Sequence, residues 1–162
     1  MFPRINLIFD EQYFMACLDL VKAARSEILL SSFVVNLQAY RKTTKSQALL
    51  ESLKESALRG VDIKVLLNRF RPQMKVSKLN TIVAKYLNSS KIDVRYLADN
   101  RCSHAKFICI DSKYLILGSH NWTRKALERN FEVSLSLDDE KIVLELRAWF
   151  LRLFNAAQKF ID

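Results

Sequence analysis

Glu27–Val35, EILLSSFVV, is a nine-residue run, mostly apolar and rich in branched side chains, whose only charge is its first residue. Such a run suits a strand buried on both faces, with helices covering each side. Its flanks agree. Before it, Ile5–Phe9 alternates as a short strand. Asp10 is then expected to cap a helix whose stripe is Phe14, Cys17, Leu18 and Val21. After it, Thr44 and Gln47 form a capping-box pair for a helix that ends at Gly60, a natural left-handed residue. Val61–Leu67 is the next strand, and Asn68–Val76 a basic loop around Pro72. Ser77 is expected to cap a helix to Asn88.

The rest of the chain continues the pattern. Ile92–Leu97, Ser103–Ile110, Lys113–Leu117 and Phe131–Leu137 read as strands. Asp138 is expected to cap a last helix, with Ile142, Val143, Leu146, Trp149, Phe150 and Leu153 on its buried side. Leu144, Ala148 and Leu151 make a second apolar stripe, suited either to an interface or to packing between layers. The order β-α-β-α-β-α-β-β-β-β-α predicts one α/β domain over residues 1–162. Its central sheet is mixed, mostly parallel, with helices on both faces. The only glycines are Gly60 and Gly118, which excludes glycine-rich dinucleotide and P-loop motifs.

Composition narrows the class. Half of the 162 residues are hydrophobic, enough for a real core and too many for disorder. Cys17, Cys102 and Cys109 cannot all pair within the chain, and no CxxC occurs. No run resembles a membrane span, and MFPRINLIFDEQ does not read as a signal peptide, so the expectation is a cytoplasmic protein with no stable membrane insertion. The net charge of +9 is concentrated. Residues 68–129 hold 13 Lys and Arg against 4 Asp and Glu, while the remainder holds 13 of each. A surplus gathered in one stretch suits a polyanion such as nucleic acid or an acidic membrane surface.

That stretch contains His104-Ala105-Lys106, then Asp111, then Gly118-Ser119-His120-Asn121. Alternation puts His104 and Lys106 on one face beside Ile108, with Asp111 of opposite parity at the following turn, in a structural role. Gly118 marks a close backbone approach. Lys106 offers a point charge, and Ser119 and Asn121 offer neutral donors, to the non-bridging oxygens of a five-coordinate phosphorus. A neutral, aimed imidazole can attack phosphorus. Aiming it calls for a carboxylate, and Glu132 is available. Taken singly, each residue has an ordinary reading: a satisfied core histidine, a solvated edge lysine, turn residues, an exposed glutamate. The joint spacing argues against those readings. His120 lies one residue out of the pattern, and nothing activates Cys102.

The spacing H-x-K-x4-D-x6-G-S-x-N resembles the signature of the phospholipase D superfamily, and the layout is similar to its short, single-motif nuclease branch. The resemblance implies a metal-independent phosphodiesterase without cofactor, with His104, Lys106, Ser119, Asn121 and Glu132 catalytic and 5′-phosphate products. It also places a glutamate at about the distance of Glu132. Double displacement needs a second acid/base histidine, and His120 begins no second H-x-K. A homodimer facing two copies of His104 supplies it. Nucleic acid is the favoured substrate. Arg69, Arg71, Lys75, Lys78, Arg101, Arg124 and Lys125 are its expected contacts, and Trp122 either stacks a base or packs. A phospholipid hydrolase and a catalytically idle nucleic-acid-binding dimer are the alternatives. No metal is expected, because the motif has no acidic cluster.

Overall fold

The computed structural model describes residues 3–37, 43–97 and 101–161. Its strands are β1 (Ile5–Phe9), β2 (Glu27–Ser31), β3 (Asp62–Asn68), β4 (Asp93–Leu97), β5 (Phe107–Ile110), β6 (Tyr114–Gly118), β7 (Val133–Leu137) and β8 (Gln158–Lys159). Its helices are α1 (Gln12–Ala23), α2 (Lys45–Leu58), α3 (Lys75–Asn88), α4 (Arg124–Glu128) and α5 (Glu140–Ala156). The strands form one sheet in the order β1-β7-β6-β5-β2-β3-β4-β8.

The expected mixed sheet with helices on both faces is present, but it is not mostly parallel. Only β2–β3 and β3–β4 run parallel; the other five pairings are antiparallel. The helical crossovers α2 and α3 give the parallel half. After β4 only β5 and β6 follow each other through a short turn, which can only join antiparallel neighbours.

Alternation divides the core in two. Ile28, Leu30, Val65, Leu67, Ile108, Ile110 and Ile116 face α1, α2 and α3, where Cys17, Val21, Leu49, Leu53, Val83 and Leu87 meet them. Leu29, Leu66, Phe107, Cys109 and Leu115 face α5 through Val143, Phe150 and Phe154. On α5, Leu151 packs against this second core, while Leu144 and Ala148 of the expected second stripe are exposed.

Helix starts follow local rules only where no distant partner competes. Thr44 caps α2 by accepting from the Gln47 N–H at 3.1 Å, and Gly60 takes φ 91° past its end. Three expected caps are corrected. Asp10 turns at φ 47° and accepts instead from the Glu132 N–H at 2.8 Å; the cap position of α1 is Glu11. Ser77 lies inside α3, where its hydroxyl accepts from the Phe70 N–H. Asp139, not Asp138, caps α5, and Asp138 pairs with Arg4 at 2.9 Å.

Asp111 is structural, as expected, but the work it does is larger than fixing its own turn. Its carboxylate accepts from the backbone N–H groups of Arg25, Ser26 and Glu27 at 2.8–3.2 Å and from the Ser26 hydroxyl, pinning the entry to β2. Burial opposes its ionisation, yet those donors outweigh it and hold the carboxyl below the usual aspartate value. Replacing Asp111 by Ala leaves these N–H groups without their acceptor. The expected loss is at least about 2 kcal/mol, read from denaturant unfolding.

Candidate active site

The two faces of the sheet end together at the C-terminal tips of β2, β3 and β6 and the N-terminal tips of β5 and β7. His104 and Lys106 sit just before β5 begins, in extended chain rather than inside a strand as expected. Side-chain amides hold that chain in place. Asn68, at the end of β3, accepts from the Ser103 N–H at 2.9 Å and donates to the Ser103 carbonyl at 2.9 Å. Buried Asn80 on α3 donates to the Asn68 carbonyl at 2.9 Å and the Phe33 carbonyl at 3.1 Å, and accepts from the Val35 N–H.

His104 and Lys106 do share a face. The Lys106 ammonium donates to the His104 carbonyl at 2.5 Å and lies 3.0 Å from its Nδ1. An ammonium has no lone pair, so Nδ1 accepts and a neutral ring carries its proton on Nε2. Phe33 walls the pair, 4.9 Å from the His104 ring and 5.6 Å from the Lys106 nitrogen. Lys106 is buried, which draws its pKa below the ordinary lysine value; the charge of Glu132 resists that shift.

Asn121 approaches from the other side. Its Oδ1 accepts from the Ser32 hydroxyl at 3.3 Å and the Val34 N–H at 3.2 Å, which fixes the amide and leaves its NH2 as the donor. Ser119 follows Gly118, whose N–H bonds the Lys106 carbonyl at 3.0 Å. Only glycine fits there. A Cβ would lie well under 3 Å from the Ser134 hydroxyl, the Val133 carbonyl and the Ser134 Cα.

Glu132 does not hold His104 in this structure. Its carboxylate accepts from the Ser119 hydroxyl and from the Asn130 side chain, the latter at 2.9 Å. The expected aim of the imidazole is corrected accordingly. The chain's other histidine is a core residue: buried His120 stacks on Tyr13 at 4.3 Å and faces the Asp10 carbonyl through Nε2 and the Ser134 hydroxyl through Nδ1. A carbonyl only accepts, so Nε2 carries a proton, and burial disfavours a second one at Nδ1.

The basic residues divide. Lys75, Arg124, Lys125 and Arg129 rim a cavity of about 410 Å³ floored by Val34, Val76 and Leu79. It adjoins the loop that Asn121 holds. Arg71 and Lys78 are exposed beside it on the loop before α3 and on α3 itself. Arg69 lies 5.5 Å over the Tyr96 ring. Arg101 lines a separate cavity with Cys102, Ser103 and Trp149 on the α5 side. Trp122 is corrected. It is fully buried, donates to the Tyr13 hydroxyl at 3.1 Å and bridges to Val35, so it packs and cannot stack a base. Missed in the sequence were Phe33, Asn68 and Asn80, which carry no motif, and α4. Thr123 ahead of RKALE was the available signal for α4, since Thr123 caps it by accepting from the Ala126 N–H. Among the described residues no cluster of three or more His, Cys, Asp or Glu could hold a metal ion.

A family model described as the PLD-like domain of cardiolipin synthase matches residues 17–154. The chain belongs to the phospholipase D superfamily. Among its relatives in this superfamily, a protein of Rickettsia typhi named Phospholipase D is 34% identical over 119 residues, covering 73% of this chain and 55% of that protein. The chain thus spans about half the length of that relative. A cardiolipin synthase of Listeria welshimeri is 30% identical over 104 residues, 64% of this chain and 21% of that protein. Nuc from Salmonella typhimurium, described as a phospholipase D family member, superposes with a TM-score of 0.83 at 17% identity, covering 99% of this chain and all of that one. NucT from Helicobacter pylori gives 0.76 at 21%, covering 98% and 100%. These two likenesses establish the phospholipase D-like fold.

Two outcomes follow from this end of the sheet. Gly118→Ala should cost about 1–3 kcal/mol and displace β7 from β6, seen as a lower thermal midpoint. Burial lowers the pKa of His120, with the Asp10 carbonyl partly opposing it. The unfolded chain therefore binds the proton more readily. His120 contributes fully above about pH 6.5 and loses its contribution as the pH falls below that. Denaturant unfolding at pH 7.5 and pH 5.5 should show this loss in the parent protein and a smaller one in His120→Gln.

Proposed function

We propose that the chain is a metal-independent phosphodiesterase acting foremost on nucleic acid, as an endonuclease whose active site is completed by a second copy. The observation that carries the reading is the contact of His104 with Lys106 at the end of the sheet, with a cavity rimmed by four cations at Val34, on the loop that Asn121 holds. Phosphate backbone entering that cavity gains Lys75, Arg124, Lys125 and Arg129 as counter-charges.

The chemistry follows from the residues. A non-bridging phosphate oxygen draws the Lys106 ammonium from His104, and the Asn121 NH2 donates to the same phosphoryl group. Ser119 turns from Glu132 and donates to the phosphate. With Lys106 withdrawn, the proton of the His104 ring exchanges through solvent from Nε2 to Nδ1, and Nε2 is left with the lone pair. It attacks phosphorus, the P–O bond to the leaving group breaks, and the leaving oxygen takes a proton from His104 of the partner subunit. Water then gives its proton to that second imidazole and attacks the phosphohistidine, which breaks the P–N bond and restores both rings.

Relatives named phospholipase D and cardiolipin synthase favour a second reading, hydrolysis of phospholipids at the same residues. One experiment separates the two: parallel cleavage assays on DNA, RNA and cardiolipin or phosphatidylcholine vesicles, all in EDTA. The expected result is nucleic-acid cleavage that survives chelation and is abolished in His104→Ala with binding retained. Cleavage of lipid alone establishes the second reading, and normal cleavage by His104→Ala refutes both. Lys75→Ala and Arg124→Ala should each weaken binding and flatten the salt dependence by about one unit of slope.

A further inference from the structure

Among the described residues Phe131 is the barest large apolar side chain, 99% exposed. It stands on the short link between α4 and β7. Burying a phenylalanine is worth about 1.5–3 kcal/mol, and a ring left wholly in water forgoes that gain. The link does not hold the ring out by being loose. On one side the Asn130 N–H bonds the Lys125 carbonyl at 2.9 Å, and the Asn130 side chain donates to Glu132 at 2.9 Å. On the other, the Glu132 N–H donates to the Asp10 carboxylate at 2.8 Å, and the Glu132 carbonyl accepts from the Asp10 N–H at 2.9 Å. The ring therefore projects from a fixed backbone, and a ligand that meets it has only two side-chain torsions to freeze. Phe131 borders a cavity of about 430 Å³ with half-exposed Phe9, Asp10, Glu11, Glu128 and Arg129.

Resting on the nuclease reading above, we infer that Phe131 is a stacking platform for one unpaired nucleobase of the substrate strand, close to the phosphate that is cut. Three observations select that occupant. The first is the path. Arg129 lines both this cavity and the one rimmed by Lys75, Arg124 and Lys125, so a phosphate chain lying on those cations reaches Arg129 and then the ring. The second is position. Phe131 directly precedes Glu132, whose carboxylate accepts from the Ser119 hydroxyl, so its Cα lies about 3.8 Å from that of a site residue. The third is the chemistry beside the ring. Glu11 and Glu128 each use one oxygen on a cation, at 3.3 and 3.1 Å, and Asp10 uses one on the Glu132 N–H. Each carboxylate keeps a second acceptor oxygen. Three carboxylates repel a phosphate, and they equally repel the anionic surface of a membrane, the other environment that would take a bare phenylalanine. A nucleobase is uncharged. Its face stacks on the ring, and its edge carries N–H donors that a carboxylate accepts. In a duplex both face and edge are already engaged, so the platform takes its base from unpaired strand.

Equilibrium binding of single-stranded DNA and RNA oligonucleotides, measured in His104→Ala so that the strand stays whole, sets the ring against the base. Adding Phe131→Ala should raise the dissociation constant about tenfold, and Phe131→Trp should keep it within about twofold. Salt separates the ring from the cations: Phe131→Ala should leave the slope unchanged, whereas Arg129→Ala should flatten it by about one unit. One abasic position is then scanned along the strand. At a single position it should weaken binding about tenfold when Phe131 is present and leave binding unchanged in Phe131→Ala. Thermal midpoints should match throughout, because so exposed a ring supports no core. Oligonucleotide affinity indifferent to Phe131→Ala, in a protein that cleaves nucleic acid, overturns the platform and leaves the nuclease reading standing. An abasic penalty that persists in Phe131→Ala overturns it too, since the base then sits elsewhere. So does a Phe131→Ala variant that loses cardiolipin vesicles and keeps its oligonucleotides, which makes the ring a membrane contact. Coupling of base to ring in a protein that cleaves lipid alone upholds the platform and refutes the function. A protein that binds neither DNA nor RNA refutes both.

Discussion

The position of His104 depends on one side-chain amide. The chain around Ser103 and His104 precedes β5 and has no ladder to satisfy its backbone. Asn68 takes both polar groups of Ser103, one as acceptor and one as donor. Buried groups left unpaired cost about 1–3 kcal/mol each, so the alternative to this clamp is a displaced strand entry. Asn80 in turn fixes the carbonyls of Asn68 and Phe33, and Phe33 packs on the His104 ring. Two buried asparagines therefore tie the tips of β2, β3 and β5 into one rigid frame. The imidazole can sit outside a strand and still be held in place.

A second frame holds the other half of the site. Asp10, in its left-handed turn, binds the Glu132 N–H with its carboxylate and His120 with its carbonyl. His120 continues to Ser134, and Ser134 leaves no room for a side chain at Gly118. These contacts lock the tips of β1, β6 and β7 together, which sets Ser119 and Glu132 side by side. Each member is satisfied within the network, so it rigidifies the structure without leaving a buried polar group exposed to cost. Between the two frames lies Lys106, partly stripped of water. Its ammonium lies against the His104 imidazole.

Much of this was legible locally. The helix of Thr44, the turn at Gly60, the shared face of His104 and Lys106 and the need for glycine at 118 all follow from short-range rules. Three capping aspartate or serine assignments did not survive, and for one reason. Asp10, Ser77 and Asp138 each found a partner elsewhere in the fold, or at a loop, that outweighed the nearest helix N–H. Trp122 and Glu132 illustrate the same limit. A sequence cannot say whether an indole beside a motif faces solvent or a tyrosine hydroxyl, nor which of two neighbours a carboxylate accepts from.

The sequence by itself determined the alternation of strands and helices, the spacing that marks the phospholipase D superfamily and the concentration of positive charge about it. These are properties of period and order along one chain, and they need no third dimension. Only the tertiary structure decided that the sheet is chiefly antiparallel, that Asn68 and Asn80 build the floor of the site, that Arg101 lies apart from the other cations and that Phe9 and Phe131 border one cavity. Each of these is a meeting of residues far apart in the chain, where burial and hydrogen-bond satisfaction choose among partners that local pattern cannot rank.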